Sequence, residues 1–277
     1  MTGRVLEGKV AVVCGASRGI GKGVAIELGR AGAHVVAAGR TLRAGPAGSS
    51  PLGGSLEETV AEIERDGSSA SARACDLTDE ASVAALFESV ASEQGRLDLL
   101  VNSVFDAHSF GPTIGVPFWQ LPASAWGQVV DVGTKSAYLA AVGAAPLLTQ
   151  TRGLLVNISG RGAERYRYNV VYGVGKAAMD RMTRDMADEL RDYQVAVVSL
   201  WPSVTRTENI ESNPERSRAN FGDLELLETP RYVGRAVVSL AADPAVMDRS
   251  GRRFWVAELA AHYGFTDENG REHPLPE

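Results

Sequence analysis

The stretch Lys9-Val10-Ala11-Val12-Val13-Cys14-Gly15-Ala16-Ser17-Arg18-Gly19-Ile20-Gly21 joins an unbroken apolar run to a glycine-rich turn. A short run of this kind, without polar alternation, suits a strand buried on both faces. The glycines follow the spacing G-x-x-x-G-x-G, and a helical pattern opens at Ile20. Glycine at these positions lets the backbone turn sharply, and lets a pyrophosphate approach the positive N-terminus of the next helix with no Cβ in the way. A glycine turn alone is unspecific. Set between a first strand and a first helix, it predicts a dinucleotide cradle built from Gly15, Ser17, Arg18, Gly19, Ile20 and Gly21.

The rest of the chain repeats the alternation. Strand-like runs stand at Lys9–Cys14, His34–Ala38, Ala72–Cys75, Leu97–Val101, Leu154–Ile158, Val195–Trp201 and Arg253–Val256. Helical patterns fill Ile20–Ala31, Leu56–Arg65, Ala81–Gln94, Ala123–Leu148, Tyr172–Arg191 and Pro230–Ala242, with Ser55 to Glu58 reading as a capping box. This order predicts one α/β domain over residues 1–277: a Rossmann fold with a doubly wound parallel seven-stranded sheet and helices on both faces. The core is expected over residues 8–257 and a C-terminal extension over 258–277. Two stretches break the rhythm. Residues 41–55, rich in Gly, Pro and Ser, read as a flexible loop, and residues 103–122 read as a long aromatic connection that could close a substrate pocket.

In a NAD-binding unit the second strand ends with an acid that grips the ribose 2′-hydroxyl. Here that place holds Gly39, followed by Arg40, while Arg18 sits inside the glycine turn. Two guanidiniums there suit a 2′-phosphate, which a planar fork can grip bidentately. NADP(H) is therefore expected in preference to NAD(H).

Composition narrows the partners. The net charge of −6 and scattered arginines argue against nucleic acid or an anionic membrane as the main partner. No apolar run is long enough to span a bilayer, and the start lacks a signal-peptide pattern, so a cytoplasmic location is expected. Cys14 and Cys75 fit neither a disulfide framework nor a metal motif and read as core residues. His34, His108, His262 and His273 form no metal-like cluster.

Tyr172 and Lys176 stand four residues apart in "VYGVGKAA", a spacing that puts both on one helical face. With "GASRGIG", "CDLTD", "LLVNS", "LVNIS" and the segment from Pro202 to Thr207, in this order and spacing, the chain resembles the short-chain dehydrogenases/reductases across roughly residues 8–257. Further stretches, including "FWQLPASAW", "DVGTKSAY" and the tail "ELAAHYGFTDENGRE", resemble the member-1-type dehydrogenase/reductase subgroup. The resemblance implies a catalytic set of Ser159, which orients a carbonyl, Tyr172, which exchanges the proton, and Lys176, which supports it. It further implies Asp76 and Leu77 beside the adenine and Asn102 beside the adenosine ribose. Pro202, Val204 and Thr207 would lie near the nicotinamide carboxamide, and a homodimer or homotetramer would form through the long fourth and fifth helices. Three departures stand out. The motif Asn-Asn-Ala-Gly is read as Asn102-Ser103-Val104-Phe105, the Gly after Pro202 is Ser203, and the asparagine of the four-residue catalytic set is matched by Gly133.

The chemistry is feasible on magnitude. Bringing a tyrosine from a pKa of about 10 to about 7 takes roughly 4 kcal/mol. One cation about 4 Å away, at an effective dielectric near 20, supplies about that much. A serine hydroxyl is a suitable donor to a developing alkoxide. The expected function is reversible reduction of an apolar ketone or aldehyde, the small-molecule substrate lying under Phe105, Phe110, Phe118 and Trp119. The alternative is a catalytically impaired NADP(H)-binding sensor or scaffold, motivated by Gly133 and Ser203 and opposed by the joint presence of Ser159, Tyr172 and Lys176.

Overall fold

The computed structural model describes residues 4–45 and 51–275. Part of the loop expected at 41–55, residues 46–50, lies outside the described residues, as do 1–3 and 276–277. Along the chain run β1 (Val10–Cys14), α1 (Gly19–Arg30), β2 (His34–Gly39), α2 (Leu56–Arg65), β3 (Ala70–Ala74), α3 (Glu80–Gln94) and β4 (Leu99–Asn102). Next come α4 (Ala107–Phe110), α5 (Ser124–Trp126), a π-helical segment (Gly127–Lys135), α6 (Ser136–Thr151), β5 (Leu154–Ile158) and α7 (Val170–Glu189). The chain ends with β6 (Ala196–Trp201), α8 (Glu208–Glu211), α9 (Pro214–Phe221), α10 (Pro230–Ala242), β7 (Arg253–Trp255) and α11 (Val256–Tyr263).

All seven strands pair in parallel in the order β3-β2-β1-β4-β5-β6-β7. The seven-stranded doubly wound sheet is thus as expected, and the order reverses between β1 and β4. Such a reversal opens a crevice at the carboxyl ends of the strands. One core face packs Val24 and Leu28 of α1, Ile63 of α2, Val237 and Leu240 of α10 and Leu259 of α11 on the sheet. The opposite face packs Val83 and Phe87 of α3, Ala140 and Leu148 of α6 and Ala187 of α7. β1, β4, β5 and β6 are buried along their whole length, which explains their unbroken apolar sequence.

Local signals set the helix starts. Ser55 accepts the Glu58 N–H, Asp79 that of Ser82, Asn169 that of Tyr172, and Thr229 that of Tyr232. Two expectations need correction. The third strand starts and ends earlier than Ala72–Cys75, and Cys75 lies just past it with its N–H bonded to the Gly39 carbonyl at 2.9 Å. The single helix expected over Ala123–Leu148 is divided: residues Gly127–Lys135 take the wider π-helical form between α5 and α6. Apolar periodicity cannot distinguish i→i+4 from i→i+5 bonding over so few turns.

α1 and α10 cross closely at Gly23. A Cβ there would come within 2.5 Å of the Pro230 carbonyl oxygen, a backbone atom at the start of α10. Gly23→Ala should therefore cost about 1–3 kcal/mol of stability through overpacking, read as a lower denaturant midpoint at unchanged slope.

Candidate active site

Tyr172 and Lys176 lie on the first turns of α7, whose start is fixed by Asn169. The Asn169 side chain accepts the Tyr172 N–H at 3.0 Å and donates to Thr113 O at 3.1 Å. The phenol oxygen reaches over Gly160, where a Cβ would be 3.3 Å from it. Beside Gly160 stands Ser159, buried at the end of β5, whose hydroxyl donates to Lys176 O at 3.2 Å. The Lys176 ammonium donates to Ile158 O at 3.2 Å and stands 5.4 Å from the Phe105 ring centroid. The three residues Ser159, Tyr172 and Lys176 therefore meet at one strand end. Around the phenol pack Tyr168, Phe110 and Phe105, with ring centroids 5.0, 5.3 and 6.2 Å away.

Burial governs the electrostatics of this cluster. It pushes the Tyr172 phenol above its ordinary value, with Tyr168 adding to the effect and Arg167 opposing it. It pushes Lys176 down to about 8, against the pull of Asp180. Burial, Tyr168 and Arg167 set the phenol's value in this arrangement, with no contribution from Lys176 among them. The ammonium lies 5.8 Å from the tyrosine ring centroid and points at a backbone carbonyl, so desolvation outweighs it.

On the other side of the crevice, Gly15 takes φ +83° and approaches β4 so closely that a Cβ would sit 2.6 Å from Ser103 O. Ser17 and Gly21 are buried, Ile20 is half-buried, and Gly19 presents its N–H at the start of α1. That N–H donates to the Glu208 carboxylate at 2.8 Å. A protein anion thus already occupies the position where a helix N-terminus attracts phosphate, and the donor set fits a pyrophosphate. Thr207 stands over the same turn, with its methyl 3.4 Å from where a Gly19 Cβ would be. Arg18 bonds Gly53 O at 2.7 Å and Gly54 O at 3.2 Å, and Arg40 is exposed at the end of β2. Burial lowers the Arg18 pKa, with Glu208 opposing and Arg40 reinforcing, so the two guanidiniums feel each other. Asp76 is held below its ordinary value by the Thr78 N–H and hydroxyl, and it feels Arg40 as well; Leu77 beside it is buried.

Asn102 is fully inside. Its amide donates to Ala137 O at 3.3 Å and to Asn157 Oδ1 at 2.9 Å, and Asn157 passes the chain on to Thr183 at 2.9 Å. Asn157 is the middle link that ties β4, β5, α6 and α7. Pro202 and Val204 are half-buried in the turn after β6, where the Ser203 N–H donates to Glu228 at 2.9 Å. The aromatic stretch 103–122 divides in two. Phe105 and Phe110 wall the phenol, whereas Phe118 and Trp119 are 60% and 71% exposed and pack on each other. Gly133 lies buried in the π-helical segment with Val104 O 3.8 Å from a Cβ position, an ordinary van der Waals contact.

The family model for short chain dehydrogenase matches residues 9–218. This chain belongs to the short-chain dehydrogenase/reductase family. It is 39% identical to dehydrogenase/reductase SDR family member 1 of Mus musculus, over 96% of this chain and 85% of that protein, which sets it in the member-1-type subgroup. Among solved structures it resembles a metagenomic short-chain oxidoreductase in complex with NADP, with 26% identity, TM-score 0.71 and coverage of 91% of this chain and 97% of the other. It also resembles a 7α-hydroxysteroid dehydrogenase complexed with NADH and 7-oxo glycochenodeoxycholic acid, with 25% identity, TM-score 0.74 and coverage of 97% and 96%. The chain is an NAD(P)-dependent oxidoreductase of this family.

Glu208 and Glu228 escaped the sequence reading because their partners, Gly19 and Ser203, lie 189 and 25 residues away and no local pattern announces the contact. Because the Glu208 carboxylate sits on the Gly19 N–H, Glu208→Gln should tighten NADPH roughly three- to tenfold by removing a competing anion. Calorimetric titration of both proteins checks this.

Proposed function

We propose that the chain reduces an apolar ketone or aldehyde with NADPH, and oxidises the corresponding alcohol in reverse. The observation that carries this reading is the convergence of Ser159, Tyr172 and Lys176 at the end of β5, inside an aromatic wall and across the crevice from the glycine turn. When bound, the nicotinamide supplies the hydride to the carbonyl carbon. Gly15, Ser17, Arg18, Gly19, Ile20 and Gly21 would hold the pyrophosphate, Asp76, Leu77 and Asn102 the adenosine, and Pro202, Val204 and Thr207 the carboxamide. Ser159 turns its hydroxyl from the Lys176 carbonyl to the substrate oxygen and stabilises the developing alkoxide. Tyr172 then gives its proton to that oxygen. A phenol raised by burial is protonated at neutral pH, the state a proton donor needs. Lys176, at about 8, is largely charged at neutral pH and stabilises the phenolate left behind. In the oxidative direction a Tyr172 phenolate would take the proton back from the alcohol.

Arg18 and Arg40, with Gly39 where an acid would repel a phosphate, support NADP(H) over NAD(H). The NADP held by the metagenomic relative agrees with that preference, while the NADH held by the steroid dehydrogenase shows that the fold accommodates either. Tyr138 and Val142 on α6 and Val170 and Val174 on α7 are exposed apolar side chains, and they support a homodimer or homotetramer through these helices. Among the described residues no helix is long and apolar enough to cross a membrane, and both cysteines are buried and unpaired; a cytoplasmic setting agrees with this. The second reading, a catalytically impaired NADP(H)-binding sensor or scaffold, draws on Gly133 and Ser203 standing where the family has asparagine and glycine.

Tyr172→Phe separates the two readings. Turnover of carbonyl compounds, followed as NADPH absorbance loss, should fall by about 10²–10⁴ while NADPH binding stays within about twofold; unchanged turnover would refute the mechanism. Arg40→Ala should weaken NADPH by roughly tenfold or more and leave NADH nearly unchanged. An equal loss for both, by titration, would overturn the cofactor preference.

A further inference from the structure

The turn that follows β6 is held from behind by one residue. Glu228 is 2% exposed, and its carboxyl accepts the Ser203 N–H at 2.9 Å. Its backbone carbonyl accepts the Arg206 N–H at 2.8 Å, and Thr205 pairs with it as an isolated parallel bridge. Both ends of the turn from Ser203 to Arg206 therefore hang on Glu228, and Thr207, next in line, stands over Gly19. The following residue, Thr229, donates its N–H to Asp267 at 2.9 Å and its hydroxyl to the same carboxylate. Asp267 comes from the segment beyond α11, is 2% exposed, and also meets His273 Nε2 at 2.7 Å. The family model ends at residue 218, so the anchoring residues Glu228, Thr229 and Asp267 lie outside the stretch it matches, while the turn they hold lies inside it.

We propose that Glu228 is a positioning residue for the nicotinamide end of the cofactor, its carboxyl clamping the Ser203 N–H and its own place being set by Asp267 of the C-terminal segment. The inference rests on the reading that the turn after β6 holds the carboxamide. The geometry also gives Ser203 a reason to depart from glycine. Burial pushes the Glu228 carboxyl up to about 8, with the Asp267 charge adding, and both the N–H and the hydroxyl of Ser203 work against that rise. At neutral pH the clamp is then mostly an uncharged carboxyl. It grips the turn without setting a second negative charge, beside that of Asp267, near an anionic dinucleotide. Glutamine reproduces this state; aspartate, one methylene shorter, does not reach.

Two ligands read the clamp by calorimetry: NADPH, and 2′-phospho-ADP-ribose, which lacks the nicotinamide. Glu228→Ala should weaken NADPH about tenfold and leave 2′-phospho-ADP-ribose within about twofold, while Glu228→Gln should keep NADPH within about threefold. Should the alanine variant fail to fold, Glu228→Asp carries the same expected split. Equal weakening of both ligands would show a general loosening of the fold and overturn the inference, as would unchanged NADPH affinity in Glu228→Ala. A wild-type chain that binds no NADPH would instead overturn the cofactor reading, and the inference with it.

Discussion

Parallel pairing of four strands buried along their whole length, β1, β4, β5 and β6, is the constraint on which the site depends. Each ladder is in register at its carboxyl end: Cys14 opposite Asn102, Asn102 opposite Asn157, and Ile158 opposite Leu200. The residues that leave those ends therefore enter one crevice at a common height. The glycine turn leaves β1, Ser159 leaves β5 and the Ser203 turn leaves β6. Parallel order also demands crossover helices, and α7 returns the chain so that Tyr172 and Lys176 face the end of β5. No single contact has to be strong for the constellation to form. The sheet register does the positioning, and the asparagine chain from Asn102 to Thr183 locks it from inside.

That same burial makes the site electrically quiet. Removal from water raises the phenol and lowers the lysine, and the nearest partner of the ammonium is a carbonyl dipole rather than an ion. A rate argument based on one cation about 4 Å from the tyrosine overstates its effect here, because desolvation of these partly buried side chains can match a Coulomb gain of a few kcal/mol. A phenol kept protonated beside a buried serine hydroxyl is in the state that the proposed proton donor needs.

Legibility in the sequence followed the range of the interactions. The strands and most helices were readable because burial on both faces writes continuous apolar runs, and caps such as Ser55 lie three residues from the groups they satisfy. Ser159, Tyr172 and Lys176 were readable as a set only because several short motifs resemble one family. The π-helical stretch was not, since Gly127–Lys135 differs from an α-helix in bonding and hardly in pattern. Glu208 on Gly19 and Asp267 on Thr229 were invisible for a plainer reason: an acid in a loop has the same local signature whether it meets solvent or a backbone N–H far along the chain.

Glu208 and Glu228 divide the labour on the side of the crevice that follows β6. Strand ends are fixed by the ladders, but the turn after β6 and the helices beyond it are fixed only by what they touch. Glu208 ties that segment to the glycine turn with a bond that a phosphate must replace, whereas Glu228 ties its base to α10 with bonds that a cofactor does not contest. The anchor has to be buried, because an exposed carboxylate would exchange the Ser203 N–H for water at little cost. The C-terminal segment covers this anchor: Asp267, beyond α11, is buried and accepts the Thr229 N–H next to Glu228.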